Sequence, residues 1–175
     1  KEIFPVVFGD ALNNVGIDRL FGCIADFLPA SSESAGLTFP NEKGEEVELD
    51  AANPRLAAFV FKTLAEQHVG ELTLLRVYSG GLKPGDEVSN PSQRATERIG
   101  QLFKLNGHER VEVDDAGAGD IVALVKLRET HTGDTLCAKG DTTRLPVIDF
   151  PEPLIRVAIV PKDRGGEDRM ATGMH

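Results

Sequence analysis

A chain of 175 residues, 41% hydrophobic and 27% charged, has the ordinary globular composition that can bury a core of one domain with appendages. It contains no run of eighteen apolar residues, which excludes a helical membrane span. A net charge of −9 argues against nucleic-acid binding spread over the whole chain, because neutralising phosphates needs clustered Lys and Arg. The acidity is uneven, however. Residues 1–54 hold ten acids against three bases, residues 55–137 twelve against ten, and residues 138–175 six against six. The near-balanced middle can therefore carry one basic face while the chain as a whole stays acidic.

The start, Lys1-Glu2-Ile3-Phe4-Pro5, has neither an initiator Met nor the charged-then-apolar order of a signal peptide, so the natural N-terminus is expected upstream. Val6-Val7-Phe8, ended by Gly9, predicts a short buried strand. A helix is expected next: Ile17, Leu20, Phe21, Ile24, Phe27 and Leu28 recur at spacings of three and four, and Pro29 supplies the stop. This strand-loop-helix unit is of the α/β type, yet its partner strands are not in the sequence, so it reads as the end of a domain. From Ser31 to Pro54, Ser, Glu, Asn, Gly and Pro dominate, with only weak alternation at Val47 and Leu49, which predicts a largely exposed connector.

Beyond it the period changes to two. Strands are expected at Ala58–Thr63, Leu72–Tyr78, Glu97–Phe103 and Ile121–Leu127, punctuated by Ser79-Gly80-Gly81, Lys83-Pro84-Gly85-Asp86 and Thr132-Gly133-Asp134. Short strands at this spacing imply an all-β barrel or sandwich. After Pro151 and Pro153 the run Leu154–Val160 alternates again, and Glu167–His175 reads as a helix just begun.

The residues offer no convincing active site. His68, His108, His131 and His175 are dispersed and pair with no Cys or carboxylate at metal-ligand spacing. Asp114 and Asp115 are adjacent, so on a strand they would face opposite sides, and a solvated turn before Gly117 explains them better than paired catalysis. Cys23 and Cys137, each flanked by apolar residues, read as two buried thiols of a reducing cytoplasm and not as a disulfide. A phosphate-cradling Gly-x-x-x-x-Gly-Lys-Ser/Thr loop is absent, so this chain alone is not expected to hydrolyse GTP.

Three stretches, taken together, resemble the elongation factor G family of translational GTPases. Pro5 to Gly16, followed by Phe27-Leu28-Pro29, is similar to the last strand, guanine-contacting loop and final helix of the family's G domain. In that family the loop reads Gly-Ser-Ala and a backbone amide at the Ala position helps to recognise guanine, which implies an incomplete nucleotide-binding loop at Gly9, Asp10 and Ala11, with Asp10 in place of the Ser. On the residues alone, Asp10 is a local cap of a strand-to-helix turn. The most specific match runs through Phe59–Thr63, Gly70–Thr73, Arg76–Asp86, Arg98-Ile99, Gly119–Ile121 and Glu129–Leu136, and resembles the family's barrel domain. Gly80, Gly81, Gly85 and Gly133 fall where turns call for positive φ, and Pro84 presets a turn's second residue. The third match, Phe150–Lys162, is similar to the first strand of the family's third domain.

The resemblance implies a mainly β fold: a closed translation-factor β-barrel, with an N-terminal strand-helix remnant of an α/β G domain and a C-terminal strand-helix start of an α+β domain. The implied divisions are 1–54 (end of the G domain and linker), 55–149 (barrel domain II) and 150–175 (start of domain III). It further implies a cytoplasmic, ribosome-binding segment of a translocation GTPase. The partner is small-subunit ribosomal RNA and no membrane, and GTP with Mg is held only by the full-length G domain. The alternatives are a release-factor-like GTPase, a ribosomal protection protein, or, from another class, a stand-alone protein-interaction barrel. Contact with ribosomal RNA rests on phosphates and shape, so it needs exposed Arg and Lys more than base-reading side chains. Alternation puts Arg76, Arg94, Arg98, Lys104, Arg110 and Arg128 outside the barrel, and Arg94, Arg98, Lys104 and Arg110 are the expected RNA-facing set. The competing reading is an ordinary solvated face on which Glu97 and Glu109 offset that charge.

Overall fold

Along residues 75–79 Leu75, Val77 and Ser79 alternate with Arg76 and Tyr78, and this alternation marks the centre of the molecule. In a computed structural model that describes residues 4–30, 33, 36–40, 46–66, 70–107, 109–161, 166 and 170, Leu75, Val77 and Ser79 turn inward while Arg76 faces out. Their strand, β4 (Gly70–Ser79), follows α1 (Ile17–Phe27), β1 (Leu37–Pro40), β2 (Glu46–Leu49) and β3 (Ala57–Glu66). After it come β5 (Gly81–Leu82), β6 (Glu87–Asn90), β7 (Ala95–Arg98), β8 (Leu102–Asn106), β9 (Glu109–Val113), β10 (Ala116–Gly117), β11 (Ile121–Val125) and β12 (Thr135–Ala138). The protein is mainly β and is dominated by one eight-stranded antiparallel sheet in the order β7-β6-β12-β3-β4-β11-β8-β9. Its hydrogen-bonded ladders run from β7 to β9 without joining these two edges.

The largest of three apolar clusters draws on most strands of the sheet. Val60, Leu75, Val77, Leu82, Leu102, Leu124 and Leu136 are each fully buried and form a single cluster drawn from six strands. Each contributes about 1.5–3 kcal/mol over an exposed position. Two β-bulges bend β3 against β4, between Ala57 and Ala58 and between Val60 and Lys62, which gives the long ribbon its curl. Gly80 is required where the ribbon leaves β4: its φ is 66°, and a Cβ there would lie 2.6 Å from the backbone nitrogen of Leu56. The turn Lys83–Asp86 has Pro84 second and Gly85, φ 92°, third, the arrangement a type II turn demands. Gly133 also has positive φ, but Gly81, expected to share that property, lies in β5 with ordinary φ.

Several expectations are revised. The run Glu97–Phe103 is two strands, because the chain breaks at Ile99-Gly100-Gln101, where the Ile99 amide bonds to the carbonyl of Asp86. The run Ile121–Leu127 stops at Val125, since Lys126 adopts a φ of 67°. Residues 37–40 and 46–49 are not an exposed connector. They form the β1–β2 ribbon, and it seats Phe39 and Leu49 against Ala57 and Leu145 on the outer side of the sheet. Glu46 and Glu48 point away, so half of this ribbon reads as solvent-facing in the sequence.

Val6-Val7-Phe8 and Leu154–Val160 are exposed and have no regular secondary structure, and neither is in a ladder among the described residues. A strand exists only where a neighbour takes its N–H and C=O groups, so period-two sequence alone does not make one. α1 forms as expected, with the Leu28 amide bonding back to Ile24 at its end, yet none of its residues is buried. Of the helix expected over Glu167–His175 only Met170 is described, and it is helical; the remainder lies outside the described residues. No described helix is long and apolar enough to cross a membrane.

Candidate functional site

The β6–β7 hairpin carries Arg94 in its turn and Arg98 at its end, so two of the expected RNA-facing residues share one element, both exposed. Arg94 has a φ of 55°, which the tight turn Pro91–Arg94 imposes. Arg98 stands opposite Glu87, and the carboxyl of Glu87 is held below its usual range by the Lys139 ammonium it bonds and, more weakly, by the Arg98 charge.

Lys104 and Arg110 sit on the β8–β9 ribbon, where the register pairs Lys104 with Val111 and Leu105 with Arg110. Directly opposed residues point the same way and neighbours alternate, so Lys104 and Arg110 lie on opposite faces of that ribbon. Lys104 also bonds Asp120 at 2.8 Å and, with the Gly117 amide, draws the Asp120 carboxyl below its ordinary value. Arg76 stacks over Tyr78, 5.2 Å from the ring centroid.

Glu97 does not lie on a solvated face offsetting the arginines. It is buried, and Oε1 accepts the backbone amides of Arg128 and Glu129 at 2.9 and 2.7 Å and the Thr130 hydroxyl at 3.2 Å. The same hairpin reaches the 128–134 segment twice more. Asn90 donates its amide to Asp134 Oδ2 at 3.0 Å and to the Glu129 carbonyl at 3.2 Å, and Gln93 donates to Asp134 at 3.1 Å. Asp134 also accepts the His131 amide at 2.8 Å. A carboxylate taken out of water is tolerable when its lone pairs are met in this way. The segment Arg128–Asp134 is thus fixed along the whole hairpin by two buried carboxylates and one buried Asn. The sequence hints at this only in the turn residues Asn90-Pro91 and Thr132-Gly133-Asp134.

At the N-terminal loop the Asp10 carboxylate accepts the amides of Leu12 and Asn13 and, at 2.6 Å, the side-chain amide of Asn13. The Asn13 side chain is the main reason its carboxyl lies below the usual range. Backbone bonds between Asp10 and Val15 close the loop, with Gly9 before it and Ala11 within it. An apolar groove of about 500 Å³, lined by Val7, Leu20, Cys23, Ile24 and Phe27 among others, lies beside it.

Cys23 and Cys137 are unbonded thiols, Cys137 buried and Cys23 only half-buried. Burial, helped by the Asp141 charge, pushes the Cys137 thiol up to about 11. No group of three or more His, Cys, Asp or Glu among the described residues can hold a metal; His131 is exposed, and His68, His108 and His175 lie outside them. Asp114 and Asp115 occupy an exposed bend before Ala116, as expected.

Two comparisons bear on this arrangement. The family model described as elongation factor G domain 2 matches residues 55–139. A crystal structure of a protein from Thermus thermophilus superposes with a TM-score of 0.69 at 27% identity, over 91% of this chain and 22% of that one. The chain thus spans about a fifth of that protein's length.

Proposed function

Residues 55–139 belong to the elongation factor G family as its domain 2, and from that premise we propose that the chain is the ribosome-contacting segment of a translational GTPase that promotes translocation. The observation that carries the reading is the coincidence of the family match with the sheet from β3 to β12, whose β6–β7 hairpin presents Arg94 and Arg98 to solvent. Side chains of this kind meet RNA phosphates without reading bases. In this reading Arg94 and Arg98 act together. Arg110, on the other face of its ribbon from Lys104, meets a different part of the RNA, and Lys104 exchanges Asp120 for a phosphate. The sheet is the closed barrel of the family, and the bonds from Glu97 across to Arg128 and Glu129 support closure at that seam.

The chain contributes no hydrolysis, because its sequence contains no phosphate loop. Gly9, Asp10 and Ala11 are the guanine-side loop of a G domain whose remainder holds GTP and Mg in the cytoplasm. The Asp10 carboxylate, engaged with Leu12 and Asn13, shapes the loop and leaves recognition to backbone amides.

The test is binding of the chain to ribosomes as a function of salt, for the unsubstituted chain and for Arg94→Glu with Arg98→Glu. The expected result is weaker binding with a shallower salt dependence in the double variant, since fewer counterions are released. Absence of binding by the unsubstituted chain defeats the reading, as does an unchanged affinity and slope in the double variant.

A further inference from the structure

We propose that Lys126 and Arg128 join Arg98 in one phosphate-binding patch for the backbone of a structured RNA, and that Glu97 is the residue that positions it. The inference rests on the ribosome-contacting role above and extends it to a segment outside the β6–β7 hairpin.

Its basis is the seam between two stretches of chain. β8 pairs with β11 through Leu102 with Leu124 and Phe103 with Ala123. Beyond these pairs both chains leave the ladder, at Ile99–Gln101 and at Lys126, yet the two stretches stay side by side, with Gly100 near Val125 and Glu97 near Arg128. The Arg128 amide donates to Glu97 at 2.9 Å, and a Cβ added to Gly100 would lie 3.4 Å from the carbonyl oxygen of Val125.

Burial fixes which way the side chains point. Glu97, Ile99 and Leu127 are buried, whereas Arg98, Lys126 and Arg128 are exposed, so the three cations share the outer side of the seam. Gly100 contributes no side chain between them. Like charges directly opposite each other across strands are unfavourable, and an ordinary solvated face relieves this with an interleaved acid. Here the acid in the right place, Glu97, is turned inward and spends its oxygen on backbone amides. Among the described residues neither Lys126 nor Arg128 has an acidic partner, and Arg98 shares Glu87 with Lys139. Glu129 is exposed beside them, its backbone held by Glu97 and Asn90, and among the described residues its carboxylate makes no ion pair with Lys126 or Arg128.

An RNA phosphate supplies the missing negative charge. Because Lys126 holds a φ of 67° and Arg128 is anchored through its amide, the backbone under these side chains is fixed before the ligand arrives.

The experiment titrates purified small ribosomal subunits with the chain over a range of salt concentrations, with thermal unfolding measured in parallel. Arg128→Gln and Lys126→Gln are each expected to lower the slope of log K against log salt by roughly 0.7–0.9, and to weaken binding roughly threefold to tenfold near 0.1 M salt. Neither should shift the unfolding midpoint. Glu97→Ala is expected to produce a comparable loss of slope although it removes no cation, and Glu97→Gln, which keeps an acceptor oxygen, should restore most of it.

If both cation variants bind like the unsubstituted chain while Arg94→Glu with Arg98→Glu weakens binding, the patch is overturned and the ribosome reading stands. Failure of the unsubstituted chain to bind overturns both. A Glu97→Ala variant that unfolds earlier yet keeps the full salt slope makes Glu97 a purely structural residue and overturns its positioning role.

Discussion

Asn90 and Asp134 meet side chain to side chain at 3.0 Å, both buried, 44 residues apart in the sequence. Their contact joins the turn of one hairpin to the last turn before β12.

Removing either partner leaves the other without its bond in a place water does not reach. Asp134→Ala strips acceptors from Asn90, Gln93 and the His131 amide, so a loss of about 2–3 kcal/mol or more is expected. Asn90→Ala should cost about 1–2 kcal/mol, because Gln93 and the His131 amide still serve the carboxylate. Urea unfolding of the two single variants and the double variant measures this. Strictly additive losses would show that the two side chains do not act as a unit.

Gly80→Ala tests the exit from β4. The substitution forces a Cβ into the backbone of Arg55 and Leu56 at a residue already in the left-handed region, and a loss of about 2 kcal/mol or more follows. Gly85→Ala, also at positive φ but with open space around it, should cost about 1 kcal/mol. Equal losses in thermal or urea unfolding would mean that the close approach at Gly80 contributes nothing.

The two thiols should differ in reactivity. Cys137 is fully buried, with its thiol pushed from 9.0 up to about 11, whereas Cys23 is half-buried in the groove beside α1. At pH 8 an aromatic disulfide reagent should label Cys23 first and Cys137 only as the chain opens. The raised value also has a sign for stability. The folded chain keeps the Cys137 proton to higher pH than the unfolded chain, so this contribution is intact below pH 9 and declines as pH rises from 9 towards 11. Cys137→Ala should remove that decline, and simultaneous labelling of both thiols would contradict the burial.

Hydrogen exchange should separate the N-terminal unit from the sheet. α1 has no buried residue, while Leu72, Leu75, Val77, Val122 and Leu124 are buried at the centre of the sheet. Amides of residues 20–28 should exchange orders of magnitude faster than those of residues 72–77 and 122–124. Equal protection would show that the apolar face of α1 is covered in solution.

Much of this was legible in the sequence where one side chain decides the matter for its own residue. Leu75 and Val77 alternate with Arg76 and so declare a strand and its inner face. Pro84-Gly85 declares a turn, and the charges of Arg94 and Arg98 declare that both side chains lie outside. What could not be read depends on residues far away. Phe39 and Leu49 look like stray apolar positions among Glu and Asn until Ala57 and Leu145 are beneath them. Glu97 reads as solvated, because nothing local reveals that the amides of Arg128 and Glu129 will come to it. Lys104 and Arg110 read as companions, and only the pairing register of β8 with β9 separates them. Val6–Phe8 and Leu154–Val160 have strand sequences but no ladder among the described residues, since a strand's existence depends on its neighbour.

The order of the strands also sets a schedule for synthesis. β3 is bordered by β4 on one side and by β12 on the other, and Cys137 pairs with Ala57. During translation β4 arrives at once, but the far edge of β3 at Ala57–Val60 stays open until the chain has grown by about seventy more residues, which at about 5–20 residues per second lasts roughly 3.5–14 s. Throughout that interval a nascent chain displays the Ala57–Val60 edge of β3 with unsatisfied amides and carbonyls, the kind of edge that captures other strands. A slow codon within residues 66–134 prolongs the exposure, whereas one placed after residue 138 does not. Misassembly of this protein should therefore respond to where the ribosome pauses and not only to how stable the finished sheet is.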